Sequence, residues 1–177
     1  TNAGEVYRYD GTVGSWTKVS QATAGTIAAS GTTAIDGVYG LQVMGGSLYA
    51  GSRKTGAAEV YRYMGGTTWQ KVSNATAGTI ASGGTAAIDM IGAMTVYNNN
   101  LYIGTIKGAA SAEVYSYDGG TNWVKVSQAT AGTISAGDTA SIQLINSMTV
   151  YNGRMFVATF KTGAGEIYRY DGGSDWT

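Results

Sequence analysis

The hydrophobic positions of this chain fall in short runs that return in a fixed order, and each run has the length and composition of a β-strand. The runs of one cycle are Leu41–Met44, Leu48–Ser52, Ala58–Tyr63 and Trp69–Ser73. Turn signals separate the runs, and Gly45-Gly46 supplies the positive φ values of a tight hairpin. No stretch has the 3.6-residue period of a helix. The pattern therefore predicts an all-β chain built of four-stranded antiparallel meanders.

This cycle repeats at a nearly constant interval. The same glutamate recurs at Glu5, Glu59, Glu113 and Glu166, in steps of 54, 54 and 53 residues. Periods of this length are typical of β-propellers, in which four-stranded sheets (blades) stack radially so that each covers its neighbour. We therefore predict a single β-propeller segment over residues 1–177, with repeats at 5–58, 59–112 and 113–165 and a partial repeat at 166–177.

The number of cycles leaves the predicted propeller open. The chain supplies three blades' worth of strands, whereas propellers close with about four to eight blades. Two apolar sheet faces would then stay uncovered. The sequence is therefore expected to be part of a longer propeller, or to close a ring by assembling with copies of itself. Two copies would be the simplest symmetric arrangement.

A polar connection of about 20 residues joins each fourth run to the next first run. All three connections contain the hexapeptide Ala-Thr-Ala-Gly-Thr-Ile, at 22–27, 75–80 and 129–134. One interpretation is that the connection carries the chain from the outer edge of one sheet to the inner edge of the next. The other is that it is a functional loop, because structureless loops of this length are uncommon inside a compact domain.

Composition excludes several functional classes. The chain contains no cysteine and no histidine, which excludes disulfides, thiol nucleophiles, Ser-His-Asp catalysis and the usual zinc sites. The 11 basic residues balance the 11 acidic ones, so nucleic acid is not an expected partner. No apolar run approaches the roughly 20 residues that span a bilayer. The abundance of glycine, threonine and serine favours an extracellular protein at a cell or virion surface.

One segment carries a family resemblance. Ser116-Tyr-Asp-Gly-Gly-Thr-Asn-Trp123 resembles the Asp-box, Ser-x-Asp-x-Gly-x-Thr-Trp, of sialidase-type (BNR) β-propellers. The other copies match less well, and Met64 replaces the aspartate in one of them. The wider repeat also resembles repeats of uncharacterised bacterial surface and phage-type proteins. The resemblance implies a propeller in which the box is a structural turn between the third and fourth strands of a blade.

Repeated polar and aromatic positions suggest a lectin-like or adhesin-like module that binds carbohydrate multivalently. Aromatic rings can stack on the apolar face of a pyranose, and weak equivalent sites gain strength together. The candidate ligand-binding residues are Trp69, Trp123, Lys54, Lys107, Glu59 and Glu113.

The alternative interpretation of these positions is structural. Repeated aromatics would then pack between sheets, and each lysine would form an exposed ion pair with the glutamate that follows it across one turn. The packing interpretation is assigned to Trp16, Trp176, Tyr7, Tyr61, Tyr115 and Tyr168. Asn74-Ala75-Thr76 matches a glycosylation acceptor, but the other repeats have glutamine at this place, so a chance substitution is the favoured explanation.

Catalysis would require residues that break the repeat, and those present form no recognisable active site. The sialidase resemblance implies three arginines on one ligand, but Arg8, Arg62 and Arg169 occupy equivalent positions in different repeats. Glycosidases also need two inequivalent carboxylates. We therefore predict no enzyme, no catalytic residue, no metal site and no cofactor. Calcium at Asp36 or Asp89 is kept as an alternative.

Three functions remain open. The first is the multivalent binding module for glycans or other cell-surface polymers, and the second is a purely structural or decorative domain of a cell-surface or phage-tail assembly. The third is a fragment of a sialidase-like hydrolase. Symmetric, partly exposed polar and aromatic clusters would favour the first, buried repeat aromatics the second, and asymmetric carboxylates in one cleft the third.

Overall fold

The computed structural model describes residues 2–108 and 110–177. These residues form fourteen strands and no helix, and every strand pair is antiparallel. The predicted all-β class is therefore confirmed. The strands are β1 (Tyr7–Tyr9), β2 (Trp16–Lys18), β3 (Gly37–Met44), β4 (Ser47–Arg53), β5 (Val60–Gly65), β6 (Thr68–Lys71), β7 (Met90–Tyr97), β8 (Asn100–Ile106), β9 (Val114–Tyr117), β10 (Trp123–Lys125), β11 (Leu144–Tyr151), β12 (Arg154–Phe160), β13 (Ile167–Gly172) and β14 (Asp175–Trp176).

Twelve of the strands form one connected sheet, and β1 and β2 form a second. Within the connected sheet the strands pair in chain order as three meanders, β3–β6, β7–β10 and β11–β14. Neighbouring meanders are joined by one residue pair each, Arg53 with Met90 and Ile106 with Leu144. The predicted four-stranded meanders are present, and their arrangement as propeller blades stays a prediction.

The first two strands of each meander are joined where the turn residues predicted a hairpin. Gly45 and Gly46 have positive φ values of 55° and 76°, and Met44 pairs with Ser47 across them. Asn98-Asn99 and Asn152-Gly153 form the same positive-φ turns in the next two meanders. The hairpins therefore fix the register between the first and second strands of each meander.

The hydrophobic core consists of three clusters, and each contains residues from two successive repeats. We call these contact layers seams. In the first seam, Val6, Val19 and Ile27 pack with Tyr61 and Trp69 of the meander β3–β6. The middle seam lies between β3–β6 and β7–β10, and the third seam lies between β7–β10 and β11–β14. Each meander is therefore stabilised by its neighbours.

The long connections cover the seams. Ile27 and Ile35 of the first connection are fully buried, and the Ile35 N–H donates to the Gly25 carbonyl at 2.8 Å. The same bond recurs in the second connection, from Ile88 to Gly78 at 2.9 Å. Each connection leads from the fourth strand of one repeat to the first strand of the next. These contacts favour the interpretation of the connections as structural crossings.

Candidate functional site

A glutamate precedes the third strand of each repeat, and two of these glutamates are buried. Glu59 is 1% exposed. It accepts hydrogen bonds from Lys71 Nζ (2.8 Å), the Thr32 backbone N–H (2.8 Å) and the Tyr61 hydroxyl. Because Thr32 belongs to the preceding connection, the carboxylate ties two repeats together across the first seam.

The middle seam contains the same cluster. Glu113 accepts hydrogen bonds from Lys125 Nζ (2.8 Å), the Thr85 N–H (3.3 Å) and the Tyr115 hydroxyl. At both seams the carboxylate oxygens are engaged by groups of the protein itself. The predicted ligand-binding residues Glu59 and Glu113 therefore lie inside the seams.

The electrostatics of the first cluster keep its carboxylate charged. Burial opposes the ionisation of Glu59, but the hydrogen bonds from Lys71, Thr32 and Tyr61 outweigh burial and lower the pKa of Glu59. Burial, together with the bond to Glu59, raises the pKa of Tyr61, so its hydroxyl remains a donor. The cluster is a charge-assisted structural link.

The predicted ion pairs across one turn are wrong. Lys54 Nζ lies 3.8 Å from Asp36, and Lys107 Nζ donates to the carbonyls of Ala86 (2.7 Å) and Ala87 (3.0 Å). Lys161, the third member of this set, donates to the Ala140 carbonyl at 2.7 Å. These lysines bind the connections, and the glutamates take their partners from elsewhere.

Strand pairing explains where the glutamate partners come from. In the third and fourth strands, Tyr61 lies opposite Lys71, and Tyr115 lies opposite Lys125. The lysine therefore reaches the glutamate two positions before each tyrosine. A sequence signal for this existed, since a Trp-x-Lys spacing recurs at Lys18, Lys71 and Lys125.

Three of the four repeat tryptophans lie in the seams. Trp69 and Trp176 are buried, and Trp123 is partly buried against the core of the middle seam. The indole N–H of Trp69 donates to the Val19 carbonyl at 2.7 Å, which fixes the ring across the first seam. Trp69 is therefore not positioned to stack on a sugar, whereas Trp16 is exposed.

The repeat tyrosines divide in the same way. Tyr61, Tyr115 and Tyr168 are buried, and each donates its hydroxyl to the glutamate two residues before it. Tyr7 makes the same bond, to Glu5 at 2.6 Å, but its ring is exposed. The packing role assigned to these positions is therefore seen at the covered seams and is absent at Tyr7 and Trp16.

A side-chain amide bridges two of the seams. Gln21 Nε2 donates to the Thr67 carbonyl at 2.6 Å across the first seam, and Gln128 Nε2 donates to the Ser174 carbonyl at 2.7 Å across the third. Both carbonyls lie in the turn between a third and a fourth strand. The middle seam has Asn74 at this place, and its Oδ1 accepts the N–H of Thr76 at 2.9 Å instead.

The turn between β9 and β10 also differs from its equivalents. Asp118 Oδ1 accepts the backbone N–H groups of Gly120 (2.8 Å) and Asn122 (3.3 Å), and Asp118 Oδ2 accepts Asn122 Nδ2 at 3.0 Å. In the last repeat, Asp171 binds Arg169 at 2.8 Å instead. Because Ser116 stands where that repeat has its arginine, Asp118 is left to cap its own turn.

The arginines considered for a sialidase-like site have separate partners. Arg8 pairs with Asp10 at 2.7 Å, Arg169 pairs with Asp171, and Arg62 donates to Gln70 Oε1 at 2.7 Å. Each partner lies within the arginine's own repeat. The three arginines are therefore not brought together on one ligand.

The aspartates considered for calcium are engaged by the protein. Asp89 accepts the N–H groups of Gly56 (2.8 Å) and Gly108 (3.0 Å), which links two successive turns, and Asp36 lies beside Lys54. Within residues 2–108 and 110–177, no three Asp or Glu side chains form a group suited to a metal ion.

Comparisons with known proteins do not assign this chain to a family. A scan against protein-family models found no match to this chain, and a search of curated proteins found no significant relative. In the described part of the chain, no helix is long and apolar enough to cross a membrane.

Proposed function

We propose that this chain is a stacking domain of the β-propeller type, a non-enzymatic scaffold at a cell or virion surface. Its repeats serve to pack against further repeats of the same kind. The observation that carries the proposal is a contact made at every seam. The indole N–H groups of Trp69, Trp123 and Trp176 donate to the carbonyls of Val19, Val72 and Val126, at 2.7, 2.7 and 2.8 Å. A contact that recurs with the same atoms defines how one repeat docks on the next.

One end of the array presents a docking surface without a neighbour. Tyr151, Phe156 and Ile167 line an open apolar groove of about 310 Å³ on the last meander. At the covered seams the places of Ile167 are taken by Val60 and Val114, which are fully buried. This end therefore presents the apolar surface that one repeat contributes to a seam.

A second apolar opening lies at the first seam, beside β1 and β2. Leu41 and Leu48 line an apolar groove of about 180 Å³ together with Tyr63 and with Val6 and Val19 of the first repeat. The residues equivalent to Leu48 are Leu101 and Met155, and both are buried in seams. Since β1 and β2 correspond to a third and a fourth strand, the first and second strands of a further repeat are the partner that fits this opening, and a whole repeat fits the groove on the last meander.

The propeller arrangement is supported by what each meander buries. Every meander has four antiparallel strands and packs both of its faces where a neighbour is present, which is the arrangement that radial stacking produces. The capped turn at Asp118 lies between a third and a fourth strand, as the Asp-box resemblance implies.

Repeated carbohydrate sites at the tryptophans, lysines and glutamates have weaker support. Trp69, Glu59 and Glu113 are buried, and Lys54 and Lys107 are held by the connections. The repeat aromatics at the covered seams are mostly buried, which favours the structural role over symmetric exposed binding clusters.

Sedimentation velocity over a range of protein concentrations tests the proposal. We expect reversible association of the chain, and we expect Ile167→Glu and Leu41→Glu each to weaken it at least tenfold because a charge would be buried in the interface. Val13→Glu is the matched control, since Val13 is exposed in the turn between β1 and β2. A chain that stays monomeric throughout, or association that both end-face variants leave unchanged, would contradict stacking.

A further inference from the structure

We propose that the middle seam holds a single binding site for a neutral sugar residue. The site is a cleft of about 280 Å³ between the second connection and the β9–β10 turn. Asn74, Ser82, Thr121, Asn122 and Trp123 contribute its polar and aromatic lining. The volume lies near the lower end of the range for ligand pockets, about 300 Å³, which suits one ring. The proposal does not rest on the stacking function, whose test concerns the apolar openings at Ile167 and Leu41, although Trp123 and Val72 also form the seam contact described above.

The cleft lies where two features of the bridged seams change together, the side chain in the connection and the conformation of the facing turn. At the first and third seams a glutamine amide reaches the turn of the next repeat, at Thr67 and Ser174. Thr121 is the equivalent turn residue in the middle seam, and Asn74 makes no hydrogen bond to it within the described residues. The shorter side chain therefore leaves the two repeats unbridged at this point.

The backbone hydrogen bond of Asn74 also differs from those of the two glutamines. The N–H groups of Gln21 and Gln128 donate to the carbonyls of Thr26 and Thr133, five residues ahead. The Asn74 N–H donates to the Ile80 carbonyl, six residues ahead, at 3.0 Å. The rest of the second connection keeps the register of the other two, since the Thr79 N–H donates to the Thr76 carbonyl as at the equivalent positions. The difference is therefore confined to the hydrogen bonds of Asn74.

The lining matches a polyhydroxylated, uncharged ligand. None of the residues that line the cleft carries a charge, so an anion or a cation would lose its hydration without a counter-charge. Asn74 Nδ2 donates no hydrogen bond within the described residues, and Ser82, which also lines the cleft, is exposed. These groups offer a donor and a hydroxyl to sugar hydroxyl groups.

Trp123 supplies the aromatic surface that such a ligand needs. One face of its ring stacks on Tyr117, with centroids 4.6 Å apart and planes at 17°. Its indole N–H is held by the Val72 carbonyl. Trp123 also lines the cleft, and these two contacts fix its ring before a ligand arrives. Trp69 and Trp176 are buried at the bridged seams, so the middle seam is the one in which this tryptophan lines an open cleft.

The test is a two-dimensional NMR titration of the isotope-labelled chain with methyl glycosides of glucose, galactose, mannose and N-acetylglucosamine, and with N-acetylneuraminic acid as the charged comparison. We expect at least one neutral glycoside to shift the Trp123 indole signal together with Asn74 and Thr121, and the acidic sugar to shift none of them. Asn74→Gln should weaken binding at least tenfold, because it restores the bridge seen at the other seams. This variant is expected to fold, since two seams already accommodate glutamine.

Gln128→Asn is the matched variant at the third seam. It shortens the bridging side chain without touching the middle cleft, so binding at Trp123 should persist within twofold of the unmodified chain. The proposal is overturned if none of the four neutral glycosides shifts the cleft residues, or if binding survives Asn74→Gln unchanged.

Discussion

The same repeat positions occur at the covered seams and at the two ends of the array. Their side chains are buried at the seams and exposed at the ends. Trp69 is 4% exposed and Trp16 is 61% exposed, although both occupy the same repeat position in a fourth strand. Val114 is fully buried, whereas its equivalent Ile167 is 73% exposed. The difference shows that burial comes from the neighbouring repeat and not from the local sequence. Stability should then be approximately a sum of seam contributions, as in other repeat proteins.

The largest expected effect comes from removing a seam tryptophan. Trp69→Ala should lower the free energy of unfolding by about 3–5 kcal/mol, the usual cost of deleting a buried tryptophan, and it also leaves the Val19 carbonyl without its indole donor. Trp16→Ala should cost about 1 kcal/mol or less, because an exposed ring loses little on truncation. Urea unfolding followed by circular dichroism measures both. Equal losses at protein concentrations where the chain is monomeric would refute the comparison.

A smaller effect is expected from unpairing a buried carboxylate. Lys71→Met leaves Glu59 with the Tyr61 hydroxyl and the Thr32 N–H as donors, and the lost charge-assisted bond should cost about 1.5–3 kcal/mol. The control is Lys18→Met at the end face, where Glu5 is in contact with solvent. We expect that control to stay within the range of ordinary surface substitutions. A loss at Lys18 as large as that at Lys71 would show that the seam does not determine the strength of the pair.

The same cluster predicts the response to acid. The pKa of Glu59 is lowered on folding from its ordinary value of 4.5, so the unfolded chain takes up the proton first as pH falls. The contribution of Glu59 is therefore fully present above pH 4.5 and is lost as pH falls below it. Glu59→Gln should flatten the acid side of the stability profile measured between neutral and low pH. An unchanged slope would contradict this assignment.

Much of the fold could be predicted from the sequence because it depends on local chemistry. Positive-φ turn residues such as Gly45-Gly46 predicted the hairpin between β3 and β4, and the short apolar runs predicted the strands. The glutamate partners were mispredicted because nearness along the chain favoured Lys54. The correct partner, Lys71, depends on the register between β5 and β6.

The candidate site could be predicted only in part, for a different physical reason. Trp123 was among the predicted ligand-binding residues together with Trp69, because both occupy the same repeat position. Two features separate them, a side chain in the preceding connection, Asn74 against Gln21, and the facing turn that Asp118 caps. A substitution of one methylene group looks conservative in sequence, and its consequence becomes visible only when the facing turn is in place.

The smallest expected effect concerns the connections that cover the seams. Ala34, Ala87 and Ser141 occupy one equivalent position and have positive φ values of 54°, 54° and 61°. A residue with a Cβ atom is strained in this conformation by roughly 1–2 kcal/mol, and glycine relieves the strain at some cost in the entropy of the unfolded chain. Ala87→Gly should therefore raise the free energy of unfolding by about 0.5–1 kcal/mol. Ala86→Gly is the matched control, because the adjacent Ala86 lacks a positive φ and should lose stability or stay unchanged. Urea unfolding measures the free energy of unfolding of both variants. A loss of stability in Ala87→Gly would mean that the connection does not hold this residue under strain.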